Sequence, residues 1–262
     1  HVPEIFGAEF LEQTARKLGK ASPEMLPAAI VQQSAQPLML DLMEKHIVFV
    51  YGKHGTGKTS ILRALAALRV GEEGAVFVLG AGNEWYSWSR DHNAQYASID
   101  GDQKAFTSAL DDEFRSRLAF RKTHANYTDP AAAREIALKM KPLVLVLDDV
   151  ERWLEQRREH GQPYLERQLS QLLGSAIAKG ANYGICILAG CGASGMTGAL
   201  PNNTIRQLKD GGWGLAAGNT LTDCNPWNAD LPYSRENQAM RAGEGFYVRN
   251  ETVTHVLLPA EV

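Results

Sequence analysis

Gly52-Lys53-His54-Gly55-Thr56-Gly57-Lys58-Thr59 fits the pattern G-x-x-x-x-G-K-[ST] at every fixed position. Upstream, residues 46–51 form an unbroken β-prone run of the kind found in a strand covered on both faces. Downstream, Ile61, Leu62, Leu65 and Leu68 recur at helical spacing within residues 58–69. The order is therefore strand, glycine loop, helix. Glycines let the backbone curl so that successive N–H groups point inward, a nest reinforced by the positive end of the helix dipole. Such a loop cradles a nucleoside triphosphate, with ATP and Mg²⁺ the expected ligands. Contacts are expected from Gly52, Gly55, Thr56, Gly57, Lys58, Thr59 and Ser60. Lys58 should reach the β- and γ-phosphates, and the Thr59 hydroxyl should be a Mg²⁺ ligand. A chance match in a chain this long is roughly a one in a hundred event. Requiring the flanking strand and helix lowers it further.

The second half of the expected site is Leu143-Val144-Leu145-Val146-Leu147-Asp148-Asp149, an apolar strand ending in two acids. Ligands of open α/β sheets collect at such carboxyl ends. Asp148 would hold Mg²⁺ through water, making Thr59 and Asp148 the expected metal-site residues. Asp149 would occupy the position that polarises an attacking water, so Lys58, Asp148 and Asp149 are the expected catalytic set. A side chain shorter than glutamate there misplaces that water and slows turnover; Glu151 is a substitute. Alone, a strand ending in Asp-Asp is more often a turn or helix cap. A P-loop about 90 residues upstream makes the metal site the favoured reading.

Around these motifs, strands and helices alternate. Residues 38–42 and 75–79 read as strands, and 185–189 as another. Phe106, Leu110, Phe114 and Leu118 stripe a charged helix over 103–122, and a further helix is expected over 130–139. Pro163 is placed at the first turn of a helix carrying Leu165, Leu169, Leu172, Leu173, Ala176 and Ile177. Short terminal strands are expected at 213–217, 245–248 and 252–257. The pattern predicts an α/β fold, a mainly parallel sheet with helices on both faces and short strands at the C-terminal end. Residues 1–36, with an amphipathic stretch over 9–18 and a proline-punctuated segment over 23–37, read as an N-terminal helical appendage or linker to a domain spanning 37–262.

Composition limits the alternatives. A hydrophobic share of 44% in 262 residues suits one domain with a sizeable core. A formal charge of -3 advertises no attraction to nucleic acid or an anionic membrane. Three cysteines argue for a reducing compartment, and C-x-x-C zinc spacing is absent. No apolar run approaches the ~20 residues of a membrane span. A start at His1 suggests a piece of a longer polypeptide, whose membrane segments would lie outside it. Trp85, Tyr86 and Trp88 read as an aromatic loop cluster, fit to stack a base, hold a peptide or anchor the loop. Arg157 and Arg158, beside Glu155 and Glu159, look like a solvated helix face.

The run Pro37-Leu38-Met39-Leu40-Asp41-Leu42, then residues 46–52, then the P-loop with Ser60-Ile61-Leu62-Arg63-Ala64-Leu65, resembles the start of FtsK/SpoIIIE-type ATPase modules. The double-Asp strand and the ending Arg241-Ala242-Gly243-Glu244-Gly245-Phe246-Tyr247-Val248 are similar to the C-terminal modules of EssC/EccC, the membrane-anchored motor ATPases of type VII secretion. The resemblance implies a RecA-like P-loop NTPase core, ATP with Mg²⁺, neighbouring ATPase modules in the same chain and an oligomer in the full-length protein. It also implies protein secretion substrates carrying a C-terminal signal and a place on the cytoplasmic side of the cell membrane. Two departures stand out. DNA pumps of the FtsK type usually carry Asp-Glu where this chain has Asp148-Asp149, and a Thr-Gln pair where it has Gly190-Cys191. Both weigh against DNA translocation and fast hydrolysis, leaving a DNA-translocating ATPase or a regulatory P-loop switch as the alternatives.

Overall fold

The computed structural model describes residues 5–71, 73–80, 85–124, 126, 128–154, 161–193, 203–218, 225–230 and 239–261. Its spine is a ten-stranded sheet of order β2-β1-β10-β9-β8-β3-β7-β6-β4-β5. In chain order the strands are β1 (Met25–Val31), β2 (Gln36–Asp41), β3 (Ile47–Gly52), β4 (Ala75–Gly80), β5 (Gln95–Ser98), β6 (Leu143–Leu147), β7 (Ile185–Cys191), β8 (Trp213–Ala217), β9 (Glu244–Arg249) and β10 (Thr252–Leu257). From β8 to β5 every pairing is parallel, whereas β9, β10, β1 and β2 add on antiparallel. The sheet is thus the mainly parallel α/β sheet expected, with an antiparallel wing.

Strand alternation divides the core between two faces. In β3, Ile47, Phe49 and Tyr51 pack on one side, and Val48 and Val50 on the other. In β6, Leu143, Leu145 and Leu147 join the first group, and Val144 and Val146 the second. A strand apolar on both faces must be covered twice. The first face is covered by α4 (Lys104–Lys122), α7 (Arg167–Lys179) and α8 (Asn203–Asp210), through Phe106, Leu110, Leu169, Leu173, Ile205 and Leu208. The second is covered by α2 (Lys58–Val70) through Ile61, Leu62 and Leu65. Each fully buried leucine contributes about 1.5–3 kcal/mol. Because α2 is pinned this way, the glycine loop that precedes it is held against the sheet.

Several elements depart from the local reading. β1 lies inside the proline-punctuated segment and carries Pro27 at a register shift between Pro27 and Ala29; a proline lacks the N–H a regular ladder needs, so it sits at the irregularity. α1 (Ala8–Lys17) packs Leu11 against Phe6 and Ile30 of β1. Residues 1–36 therefore contribute a strand as well as a helix. α3 (Tyr86–Asp91) and β5 follow Trp85 where a loop was expected, and α8 was not anticipated. Pro163 is not in a first helical turn: α7 begins at Arg167 after an extended Glu166. α5 spans Pro130–Leu138, with Asp129 accepting the Ala131 N–H at 2.9 Å. α6 (Val150–Leu154) follows β6. Residues 155–160, including Arg157 and Arg158, lie outside the described residues, as does Cys224. Among the described residues no helix is long and apolar enough to cross a membrane.

Candidate functional site

β3 delivers the glycine loop to the carboxyl end of the parallel strands. Gly57, the N-cap of α2, is left-handed at φ 87, and Gly55 is left-handed at φ 78. L side chains rarely adopt that region, which accounts for glycine at both positions. Gly52 answers a different need, since a Cβ there would collide with the Ala217 carbonyl oxygen of β8 and lie 2.5 Å from Thr56 Oγ1. The Lys53 carbonyl accepts the Thr56 hydroxyl at 2.8 Å and the Lys58 ammonium at 3.1 Å. Among the described residues no side chain caps α2. Its first-turn N–H groups, at the positive end of the helix dipole, are therefore suited to an anion.

Asp148 follows β6, and β7 lies between β6 and β3. Two strand spacings separate the acid from the loop, about 10 Å. The gap is bridged over β7 because position 190 is glycine: a Cβ there would stand 2.5 Å from Asp148 Oδ1 and 2.8 Å from Leu62 Cδ1. With that space open, the Thr59 hydroxyl donates to Asp148 Oδ2 at 2.8 Å. The Trp85 indole N–H donates to the same oxygen at 2.8 Å, and the Asp149 N–H donates to Oδ1 at 2.9 Å. Trp153 fixes the backbone, its indole N–H donating to the Asp148 carbonyl at 2.7 Å. Asp148 is buried.

Asp149 is a left-handed non-glycine residue at φ 52. Its carboxyl is pushed up to about 6, first by burial and then by the charges of Asp148 and Glu151, with Lys58 and Arg152 opposing. Arg152 Nη1 stands 3.7 Å from Asp149 Oδ2. Glu151 is buried, and its Oε2 has no hydrogen-bond partner among the described residues. Gly192 makes room for it, since a Cβ there would collide with Glu151 Oε1.

These groups border one cleft of about 860 Å³, within the range of ligand sites. Gly55, Gly57, Lys58, Thr59 and Ser60 form one wall, and Asp149, Glu151 and Arg152 the other. Asp148 stands behind Thr59, and Gly52 packs against β8. Thr56 borders an adjoining cavity of about 400 Å³, which shares Gly55, Gly57 and Ser60 and is walled by Ile61, Met240, Leu258 and Pro259. The Ser60 hydroxyl accepts the Glu261 N–H at 2.7 Å.

The donor set suits a hard cation held jointly with phosphates. Among the described residues no cluster of three or more His, Cys, Asp or Glu could cage a metal alone. Mg²⁺ is commonly bound by one or two protein oxygens, with phosphates and water completing its octahedron. Thr59 and Asp148 supply that number of side chains.

Local sequence reading missed the roles of Trp85, Gly190 and Gly192. The aromatic cluster carried a signal, but of uncertain meaning: Trp85 and Trp88 are buried against each other at 5.2 Å, and only Tyr86 is exposed. Anchoring is the alternative the packing favours. Gly190 carried no positional signal beyond its place in the departure from Thr-Gln, and Gly192 carried none.

No protein-family model matches the chain, and no curated protein matches it by sequence. Its fold is that of the RecA-like P-loop ATPase modules of the FtsK/SpoIIIE type. Among solved structures it is similar to the cytoplasmic domain of EssC, with a TM-score of 0.71 and 14% identity over 99% of this chain and 48% of that one. It is similar to Thermomonospora curvata EccC, ATPases 2 and 3 in complex with a signal sequence peptide, with a TM-score of 0.67 and 18% identity over 99% of this chain and 44% of that one. It is also similar to the pCW3 conjugation coupling protein TcpA, with a TM-score of 0.66 and 15% identity over 100% of this chain and 71% of that one. The chain spans about half the length of the EssC and EccC chains it matches. At such identities the likeness establishes the fold alone.

Proposed function

We propose that the cleft binds ATP with Mg²⁺, and that the chain is an ATP-binding module of a membrane-associated type VII secretion motor, coupling nucleotide state to export of protein substrates. The observation that carries the nucleotide reading is the Thr59–Asp148 hydrogen bond beside Lys58, on a helix that starts from a left-handed glycine. The Thr59 hydroxyl donates its hydrogen bond to Asp148, so its oxygen keeps lone pairs for a cation. Lys58 would exchange the Lys53 carbonyl for phosphate oxygens, and the N–H groups of the loop would hold the rest of the tail. Thr59 and Asp148 would hold Mg²⁺, which would supply neutralisation of phosphate charge. Asp149 and Glu151 face the same cleft and are the carboxylates available to orient water. Hydrolysis on this reading is slow or regulatory, because Asp149 is short. The adjoining cavity, with Ile61, Met240 and Leu258, suits the apolar faces of a nucleoside.

The motor reading is supported by the shared fold with the EssC cytoplasmic domain and with an EccC chain solved with a signal peptide. It implies neighbouring ATPase modules, an oligomer in the whole protein, and a position on the cytoplasmic side of the membrane. Residues 37–262 would be the ATPase module, with residues 1–36 adding α1 and β1 to the antiparallel wing of its sheet. Calorimetric titration with ATP, with and without Mg²⁺, tests the site; no heat in either condition removes it. Secretion-substrate tail peptides titrated into the ATP-bound and ATP-free chain test the motor reading. Absence of binding in both states counts against it, and salt-sensitive, length-dependent binding to duplex DNA would favour a DNA pump instead.

A further inference from the structure

Trp85 stands just before α3, against the end of β4, where a Cβ on Gly80 would lie 3.5 Å from its ring. An indole N–H is a donor only, and when buried it needs an acceptor. Trp85 is 2% exposed, and its acceptor is Asp148 Oδ2 at 2.8 Å. The ring is itself held. Trp88 meets it edge-on at 5.2 Å, and the Arg63 guanidinium lies 5.1 Å from its centre. Arg63 is paired to Glu261 at 2.9 Å, so the clamp extends from the second turn of α2 to the strand-end segment after β10.

A carboxylate offers about four lone-pair sites. Among the described residues three are engaged by fixed donors: Thr59 and Trp85 on Oδ2, and the Asp149 N–H on Oδ1. The remaining site on Oδ1 can accept a metal-bound water. Aspartate has a broad, roughly two-fold χ2 torsion, so donors on both oxygens are what select one orientation. Without the indole, Oδ2 would keep only a hydroxyl that has a second duty toward the cation.

We propose that Trp85 is a positioning residue for Mg²⁺: its indole N–H holds the Asp148 carboxylate in the orientation that receives Thr59 and a metal-bound water, so nucleotide affinity depends on Trp85 only when Mg²⁺ is present. The proposal rests on the nucleotide-site reading above. Its effect passes through Asp148, and the indole itself touches no ligand.

Trp85→Phe keeps an aromatic ring and removes the N–H. In the full chain, circular dichroism and the thermal midpoint establish that the variant is folded. ATP affinity measured in EDTA should stay within about twofold of wild type, while the Mg²⁺ concentration that half-saturates the ATP-bound chain should rise about tenfold. Asp148→Asn should raise it similarly, and the double variant should add little to either single change. An unchanged Mg²⁺ requirement in a folded Trp85→Phe variant overturns the proposal, as does an equal loss of ATP affinity in EDTA, which marks a merely structural role. If the wild-type chain binds no ATP in either condition, the site reading itself has failed and the proposal falls with it. Should Trp85→Phe not fold, the wild-type indole N–H resonances carry the test: a buried indole must shift when Mg²⁺ is added to the ATP-saturated chain, and no shift overturns the assignment.

Discussion

The Thr59 hydroxyl donates to Asp148 Oδ2 at 2.8 Å, joining positions 89 residues apart in the chain. The contact passes over β7, where Gly190 leaves the space for it, and it ties the first turn of α2 to the end of β6. The glycine loop and the double-acid strand are thereby one unit. Displacing either end should disturb the other.

Lys58→Ala is expected to weaken ATP binding on the order of 100-fold, since it removes a buried ammonium that borders the cleft. The fold should remain, with a stability change under about 1 kcal/mol, because the Lys53 carbonyl keeps its bond from Thr56. Calorimetry and circular dichroism check the two halves.

Asp149→Asn is expected to stabilise the chain at neutral pH. The folded carboxyl holds its proton to about 6, whereas its ordinary value is 3.8. The folded state therefore binds more protons in that window, and the stability this group allows is lost as pH rises through it. Allowing for water screening of a half-buried group, the variant should gain about 1 kcal/mol above pH ~6 and nothing below pH ~4. Urea midpoints of both proteins across this range read the difference.

Two glycine-to-alanine changes should act with opposite sign. At Gly190 the new Cβ would meet Asp148 Oδ1 at 2.5 Å, costing about 1–3 kcal/mol and raising the Mg²⁺ requirement. At Gly174, inside α7, a Cβ meets nothing within 4 Å, and the change should stabilise by up to about 1 kcal/mol. Denaturant unfolding of the pair separates steric from propensity effects.

Asp149→Glu is expected to raise ATP turnover about tenfold if the short acid limits the placement of water. Glu151→Gln should lower it by a similar factor if the buried carboxylate at Gly192 shares that duty. Steady-state phosphate release, corrected for ATP affinity, distinguishes them; an unaltered rate in both would move attention to groups supplied by a neighbouring subunit.

Much of the sheet was legible. β6 coincides with the expected run, and β3, α2 and α4 lie within a residue of theirs, because a two-sided apolar run or a four-residue stripe is a local regularity. β1 was obscured by Pro27, which sits at a bulge that only strand pairing reveals. α7 begins after Pro163 because Glu166 is extended, with its N–H donating to the distant Gln103 side chain at 3.2 Å. Trp85 looked like a loop aromatic because nothing in its neighbours announces a carboxylate 63 positions away.

By itself the sequence determined the strand–loop–helix unit, the acidic end of β6 and the α/β class, since each is written in contiguous residues and in periods of two or 3.6. Only the tertiary structure decided that β7 runs between the two motifs, that Gly190 and Gly192 clear space for Asp148 and Glu151, and that Trp85 holds the buried acid. Those contacts depend on strand order and register, which long-range burial sets and short-range periodicity does not carry.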